Sequence, residues 1–187
     1  ADRKSNLAPL IEHLGVLYRS EAAIRLHFIC THNSRRSQIS QAWAQALAAF
    51  FGLNRLHCYS GGTEATAFHP NAVKVLEQQG FSMQSLSGGT NPVYALKFDA
   101  TAPPVIGFSK TWDDPFNPAQ DFVAIMTCAE ADANCPVVLG AASRFSIPYE
   151  DPKVADDWKQ PMPAYEKVSR QIAREWTYVF RKIRDHG

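Results

Sequence analysis

The chain has 187 residues, 45% of them hydrophobic and 20% charged, with a formal net charge of +1. That length builds one domain with a real core. The near-neutral balance, without long basic blocks, excludes a broad pull toward nucleic acid or membrane.

No apolar run approaches the length that spans a bilayer, and the stretch Ala1–Asn6 has no signal-peptide core. Four cysteines make no dense disulfide framework. Catalytic or redox thiols in a cytoplasmic protein are the expectation.

In chain order, Asn6–Ser20 reads as a helix, with Leu7, Leu10, Leu14 and Leu17 on one face and Pro9 near its start. The apolar run Ile24–Ile29 reads as a buried strand. Gln38–Phe51 is helical, because Ile39, Trp43, Leu47 and Phe50 recur at helical spacing. Arg55–Tyr59 is a short strand, and Ser60-Gly61-Gly62 reads as the turn after it. Pro70–Gln79 is a helix closed by Gly80.

Within Gly88–Pro118, Val93–Phe98 and Val105–Ser109 form a hairpin across Ala102-Pro103-Pro104, with Trp112–Pro118 as a loop. This segment is an elaborated crossover, or an aromatic rim or partner contact beside a site. Asp121–Thr127 and Arg144–Pro148 are strands. Met162–His186 is a long amphipathic helix. Strand–helix alternation predicts a central parallel sheet of about four strands with helices on both faces.

The stretch Cys30-Thr31-His32-Asn33-Ser34-Arg35-Arg36-Ser37 has the form C-x5-R-S, with a cysteine where a strand ends and an arginine and serine where a helix begins. Backbone N–H groups of a loop entering a helix bind a tetrahedral oxyanion. The same donors favour a thiolate. The Arg36 fork can hold two anion oxygens, and the Ser37 hydroxyl can donate to the sulfur. The pattern places a nucleophile under a bound oxyanion.

Asp151, before Pro152 and after the last strand, is the candidate general acid. Glu150 and Asp114 are its rivals. Cys128 and Cys135 follow a strand at C-x6-C spacing, which is not a zinc pattern. They are a redox pair joined by a mobile segment, or two unrelated cysteines. Cys58 reads as a core thiol. His13, His27, His57 and His69 read as ordinary satisfied histidines. No metal or cofactor is called for. In parallel sheets ligands bind beyond the carboxyl ends of strands, and Cys30, Cys128 and Asp151 all follow predicted strands.

The loop Cys30–Gln38 resembles the anion-binding loop of the low-molecular-weight protein tyrosine phosphatases, and still more that of thioredoxin-coupled arsenate reductases. The resemblance continues through Ser60–Ala65, His69–Val73, Cys128–Pro136 and Asp151-Pro152. His32 stands where the family usually has Gly, and Arg35 where these reductases often have a cysteine.

The resemblance implies a three-layer αβα fold with residues 1–23 as an N-terminal extension, over a sheet edge or partner surface, and 88–118 as an insertion. It implies oxyanion binding by Thr31, His32, Asn33, Ser34, Arg35 and Arg36. It implies arsenate reduction in which Cys30 attacks arsenic, Cys128 attacks the Cys30 sulfur, and Cys135 closes a disulfide with Cys128 that thioredoxin reduces. The alternatives are a phosphotyrosine-protein or small phosphomonoester phosphatase using Cys30, Arg36 and Asp151, and a catalytically silent anion-binding module.

Overall fold

A computed structural model describes residues 3–134 and 137–186. Strand β1 (Ile24–Cys30) pairs in parallel with β2 (Leu56–Gly62) on one side and with β6 (Phe122–Met126) on the other. β6 in turn pairs in parallel with β7 (Ala141–Ser146), so the order is β2-β1-β6-β7. The interior strands β1 and β6 are apolar almost throughout, as strands covered on both faces must be.

Alternation along these strands divides the core. Leu26, Phe28, Val123 and Ile125 join the cluster under α1 (Arg3–Arg19), α2 (Arg36–Phe50) and α5 (Met162–His186). Trp176 of α5, only 1% exposed, meets Phe28 edge-on at 5.0 Å. Ile29, Phe122, Ala124 and Met126 face the other way, against Cys128, Ala131 and Val138 and the partly buried Trp112. Among the described residues, that layer holds one short helix, α4 (Ala129–Asn134).

Helix α1 starts earlier than the leucine pattern alone suggests. Arg3 pairs with Glu175 of α5 at 2.6 Å and donates to the Pro148 carbonyl at 3.0 Å. Leu7, Leu10 and Leu14 enter the core, and His13 reaches Ser143 on the edge strand β7 at 2.8 Å. Helix α1 therefore leans over a sheet edge.

The Gly61-Gly62 pair closes strand β2 instead of forming a turn. A Cβ on Gly61 would lie 2.5 Å from the Trp112 Cα, and one on Gly62 would lie 2.4 Å from the Glu64 carbonyl and 2.6 Å from that of Thr31. These glycines serve close backbone approach.

Helix α3 (Pro70–Gln78) has proline in its first turn and His69 as its cap, the ring nitrogen accepting from the Asn71 N–H at 3.2 Å. The expected hairpin is β4 (Tyr94–Lys97) with β5 (Val105–Gly107), and β3 (Ser82–Ser85) extends it into a three-stranded antiparallel sheet.

Candidate active site

Cys30 ends β1 and Arg36 opens α2, so Thr31–Arg35 turns at the carboxyl end of an interior strand. Cys30, His32, Ser34, Arg35, Arg36 and Asp151 line one small, open depression.

The Cys30 Sγ lies 3.0 Å from the Ser37 Oγ. Which of them donates follows from the next residue. Asn33 is fully buried, and its Oδ1 accepts from the Lys110 backbone N–H at 3.0 Å. A backbone N–H can only donate, so the amide orientation is fixed. The Asn33 Nδ2 therefore donates to the Ser37 Oγ, at 2.8 Å. With that oxygen accepting from Asn33, the hydroxyl proton is free to be given to the sulfur.

His32 fits without left-handed backbone. That strain falls on Asn33, at φ 47°, a residue type that tolerates it. The His32 carbonyl accepts from Ser109 at 2.8 Å, and its exposed ring approaches Glu64 at 3.7 Å.

Arg36 is 9% exposed; its Nη2 donates to the Asp151 Oδ2 at 2.5 Å and its Nη1 to the Tyr149 carbonyl at 3.4 Å. The other Asp151 oxygen accepts the Lys153 N–H at 3.0 Å and caps the short 3-10 turn Pro152–Ala155. The rivals stand elsewhere. Glu150 is an exposed partner of Lys167 at 2.7 Å, and Asp114 caps its own turn through the Phe116 N–H at 2.8 Å.

Arg35 departs from the expected role. Its guanidinium turns sideways, to Asp156 and to the Tyr165 hydroxyl, the latter at 2.8 Å. Tyr165 also hydrogen-bonds Asp156 and lies 3.1 Å from the His69 ring nitrogen. Burial, and then the Arg35 charge, hold His69 below the usual imidazole range. Arg35 thus ties the loop to α3 and α5, and only its backbone remains to face an anion.

Cys128 has no exposed surface. Its sulfur accepts the Ala131 N–H of α4 at 3.3 Å and lies 3.5 Å from the Thr31 Oγ1. Thr31 donates onward to Glu130 at 3.0 Å. Cys128 thus contacts the residue after Cys30 directly. The segment following it, expected to be a mobile connection, is helical to Asn134. Cys135 lies outside the described residues. Cys58 is the buried core thiol expected, its pKa pushed well up by burial.

Several residues near the site have no signature in the sequence. Glu130, Ser109 and Lys110 reach it only through the fold. His27 sits fully buried on β1 with no well-formed hydrogen bond at either ring nitrogen, and burial pushes its pKa down to about 3. It is not the satisfied histidine expected. Lys110, 2% exposed with its amine 4.3 Å from the Phe108 ring, is pushed down to about 8 by burial.

The model of the low molecular weight phosphotyrosine protein phosphatase family matches residues 25–99. An arsenate reductase of Bacillus cereus is 26% identical over 149 residues, covering 80% of this chain and 91% of that protein. One of Brevibacillus brevis is 27% identical over 147 residues, covering 79% and 87%. Among solved structures, an arsenate reductase in its phosphate-binding state aligns with a TM-score of 0.54 at 20% identity, over 86% of this chain and 98% of that one. A low molecular weight protein tyrosine phosphatase from T. tengcongensis aligns with a TM-score of 0.54 at 17% identity, over 85% and 96%.

Over residues 25–99 the chain is similar to the low molecular weight phosphotyrosine protein phosphatase family, and over about four-fifths of its length it is similar to arsenate reductases. The superfamily match runs from β1 to just past β4 and so includes the C-x5-R-S loop. Cys128 and Asp151 lie beyond it.

Proposed function

We propose that this cysteine-dependent enzyme is an arsenate reductase. The observation that supports it is the buried Cys128 sulfur, 3.5 Å from the hydroxyl of Thr31, the residue after Cys30. A phosphatase has no use for a second thiol there, because phosphorus is not reduced.

Arsenate would sit against the backbone of Thr31–Arg36, with Arg36 across its oxygens. The Cys30 thiolate attacks arsenic and a protonated oxygen leaves as water, Asp151 serving as acid. The Cys128 thiolate then attacks the Cys30 sulfur. A disulfide forms, the sulfur–arsenic bond breaks, and its electron pair stays on arsenic, which departs as arsenite. Cys135 attacks Cys128, returning Cys30 as a thiolate and leaving a Cys128–Cys135 disulfide for an external dithiol protein such as thioredoxin. Thr31 and Glu130 offer the Cys128 proton a path, since the Thr31 oxygen faces the sulfur and its own proton faces the carboxylate.

A second reading, a small phosphomonoester or phosphotyrosine phosphatase, is favoured by the Arg36–Asp151 pair at the same depression. The test runs arsenate reduction with and without a thioredoxin system beside hydrolysis of a phenyl phosphate. Thioredoxin-dependent arsenite formation supports the reductase. Hydrolysis alone replaces it with the phosphatase.

A further inference from the structure

We infer that Ser109 is a positioning residue for the reaction at Cys30, and that it acts through the loop's own asparagine. It lies just beyond β5, in the segment that elaborates the crossover from β3 to β6, and is 2% exposed. Every polar group of this residue is engaged. Its hydroxyl donates to the His32 carbonyl at 2.8 Å and accepts the Thr66 N–H at 2.8 Å. Its backbone N–H donates to the Asn91 Oδ1 at 3.1 Å, and its carbonyl accepts from the Asn91 Nδ2 at 2.7 Å. A side-chain amide thus pairs with both backbone groups as a neighbouring strand would.

These contacts fix the next peptide. The Lys110 N–H meets the Asn33 Oδ1 at 3.0 Å, and the Lys110 carbonyl accepts the Gly62 N–H at 2.9 Å. One residue before Ser109, the Phe108 carbonyl accepts from Gln38 Nε2 at 2.8 Å; the same nitrogen also bonds Asn33. The segment therefore holds the carbonyl of His32 and the side chain of Asn33 together.

Asn33 needs that support. Its backbone is left-handed, and its amide decides where the Ser37 proton points. If the Lys110 N–H shifts, Asn33 can rotate, the Ser37 hydroxyl can turn toward Asn33, and the Cys30 sulfur loses its donor. A contact at Ser109 is in this way felt as reactivity at Cys30, through Lys110, Asn33 and Ser37 in sequence. The inference rests on Cys30 reacting as a thiolate but not on which oxyanion it attacks.

The test measures iodoacetamide alkylation of the Cys30 peptide by mass spectrometry at pH 6 and pH 9, on wild type, Ser109→Ala, Ser109→Thr and Asn91→Ala. Wild-type Cys30 should react nearly as fast at pH 6 as at pH 9. Ser109→Ala and Asn91→Ala should lower the rate at pH 6 relative to wild type, with little change at pH 9. Ser109→Thr, which keeps the hydroxyl, should restore the wild-type ratio.

If Ser109→Ala and Asn91→Ala keep the wild-type ratio while losing only thermal stability, the two residues are merely structural and the inference is overturned. Should wild-type Cys30 itself react slowly at pH 6, the thiolate reading fails, and the inference with it.

Discussion

Arg36 and Asp151 are each other's counter-ion across the mouth of the anion loop, Nη2 to Oδ2 at 2.5 Å. An incoming oxyanion competes with Asp151 for that guanidinium. In the proposed reaction, Arg36 turning to the oxyanion leaves the Asp151 carboxyl free of its partner.

Arg36→Lys keeps the charge but not the fork, and should lower kcat/KM by about 10²–10³, as loss of a transition-state donor does. Asp151→Asn should slow aryl phosphates with poor leaving groups far more than those with good ones. Equal losses for both esters would make Asp151 only the cap of its turn.

Thr31→Val keeps the side-chain volume and removes the hydroxyl between Cys128 and Glu130. Reductase turnover should fall at least about tenfold while phenyl phosphate hydrolysis changes little. Glu130→Gln should act in the same direction. Steady-state kinetics reads this directly.

Arg35→Met should leave kcat largely intact but cost about 1–3 kcal/mol of stability, because Asp156 and Tyr165 lose a charged partner. Denaturant unfolding measures the cost. A loss of turnover matching that of Arg36→Lys would return the Arg35 side chain to the anion site.

Stability should climb with pH in two windows. Between about pH 3 and 6.5 the unfolded His27 holds a proton that the folded one does not. Between about pH 8 and 10.5 the same is true of Lys110. In both windows the unfolded chain binds more protons, so each rise in pH favours the fold, by on the order of 3–5 kcal/mol per group at full extent. His27→Leu should flatten the acid limb, and Lys110→Met the alkaline one. Urea unfolding across pH on the two variants decides it.

Much of the sheet and loop was legible because its signals are local. An apolar run before C-x5-R-S can only be a buried strand feeding a helix, and the periodicity of α5 spans its whole length. What sequence reading missed depends on distant partners. Gly61-Gly62 reads as a turn, since nothing nearby announces that Trp112 and the Thr31 carbonyl occupy the space of their missing side chains. Arg35 and Arg36 are adjacent and alike; only Asp156 and Tyr165 on one side, and Asp151 on the other, part them. Ser109 and Asn91 carry no motif, because their work is done on the backbone of another loop.

The crowding at Gly62 limits which sequences this site can tolerate. The absent side chain there would meet backbone from Thr31, Asn33 and Glu64 at 2.4–2.7 Å. Backbone cannot be trimmed by a second substitution, so no compensating change at those three positions can make room. A saturation library at position 62, selected for turnover, should return glycine alone. The same library at Lys153, exposed on the rim of the site, should return many residues. Gly62 is not among the residues lining the depression, yet its position should be as narrowly constrained as that of Cys30.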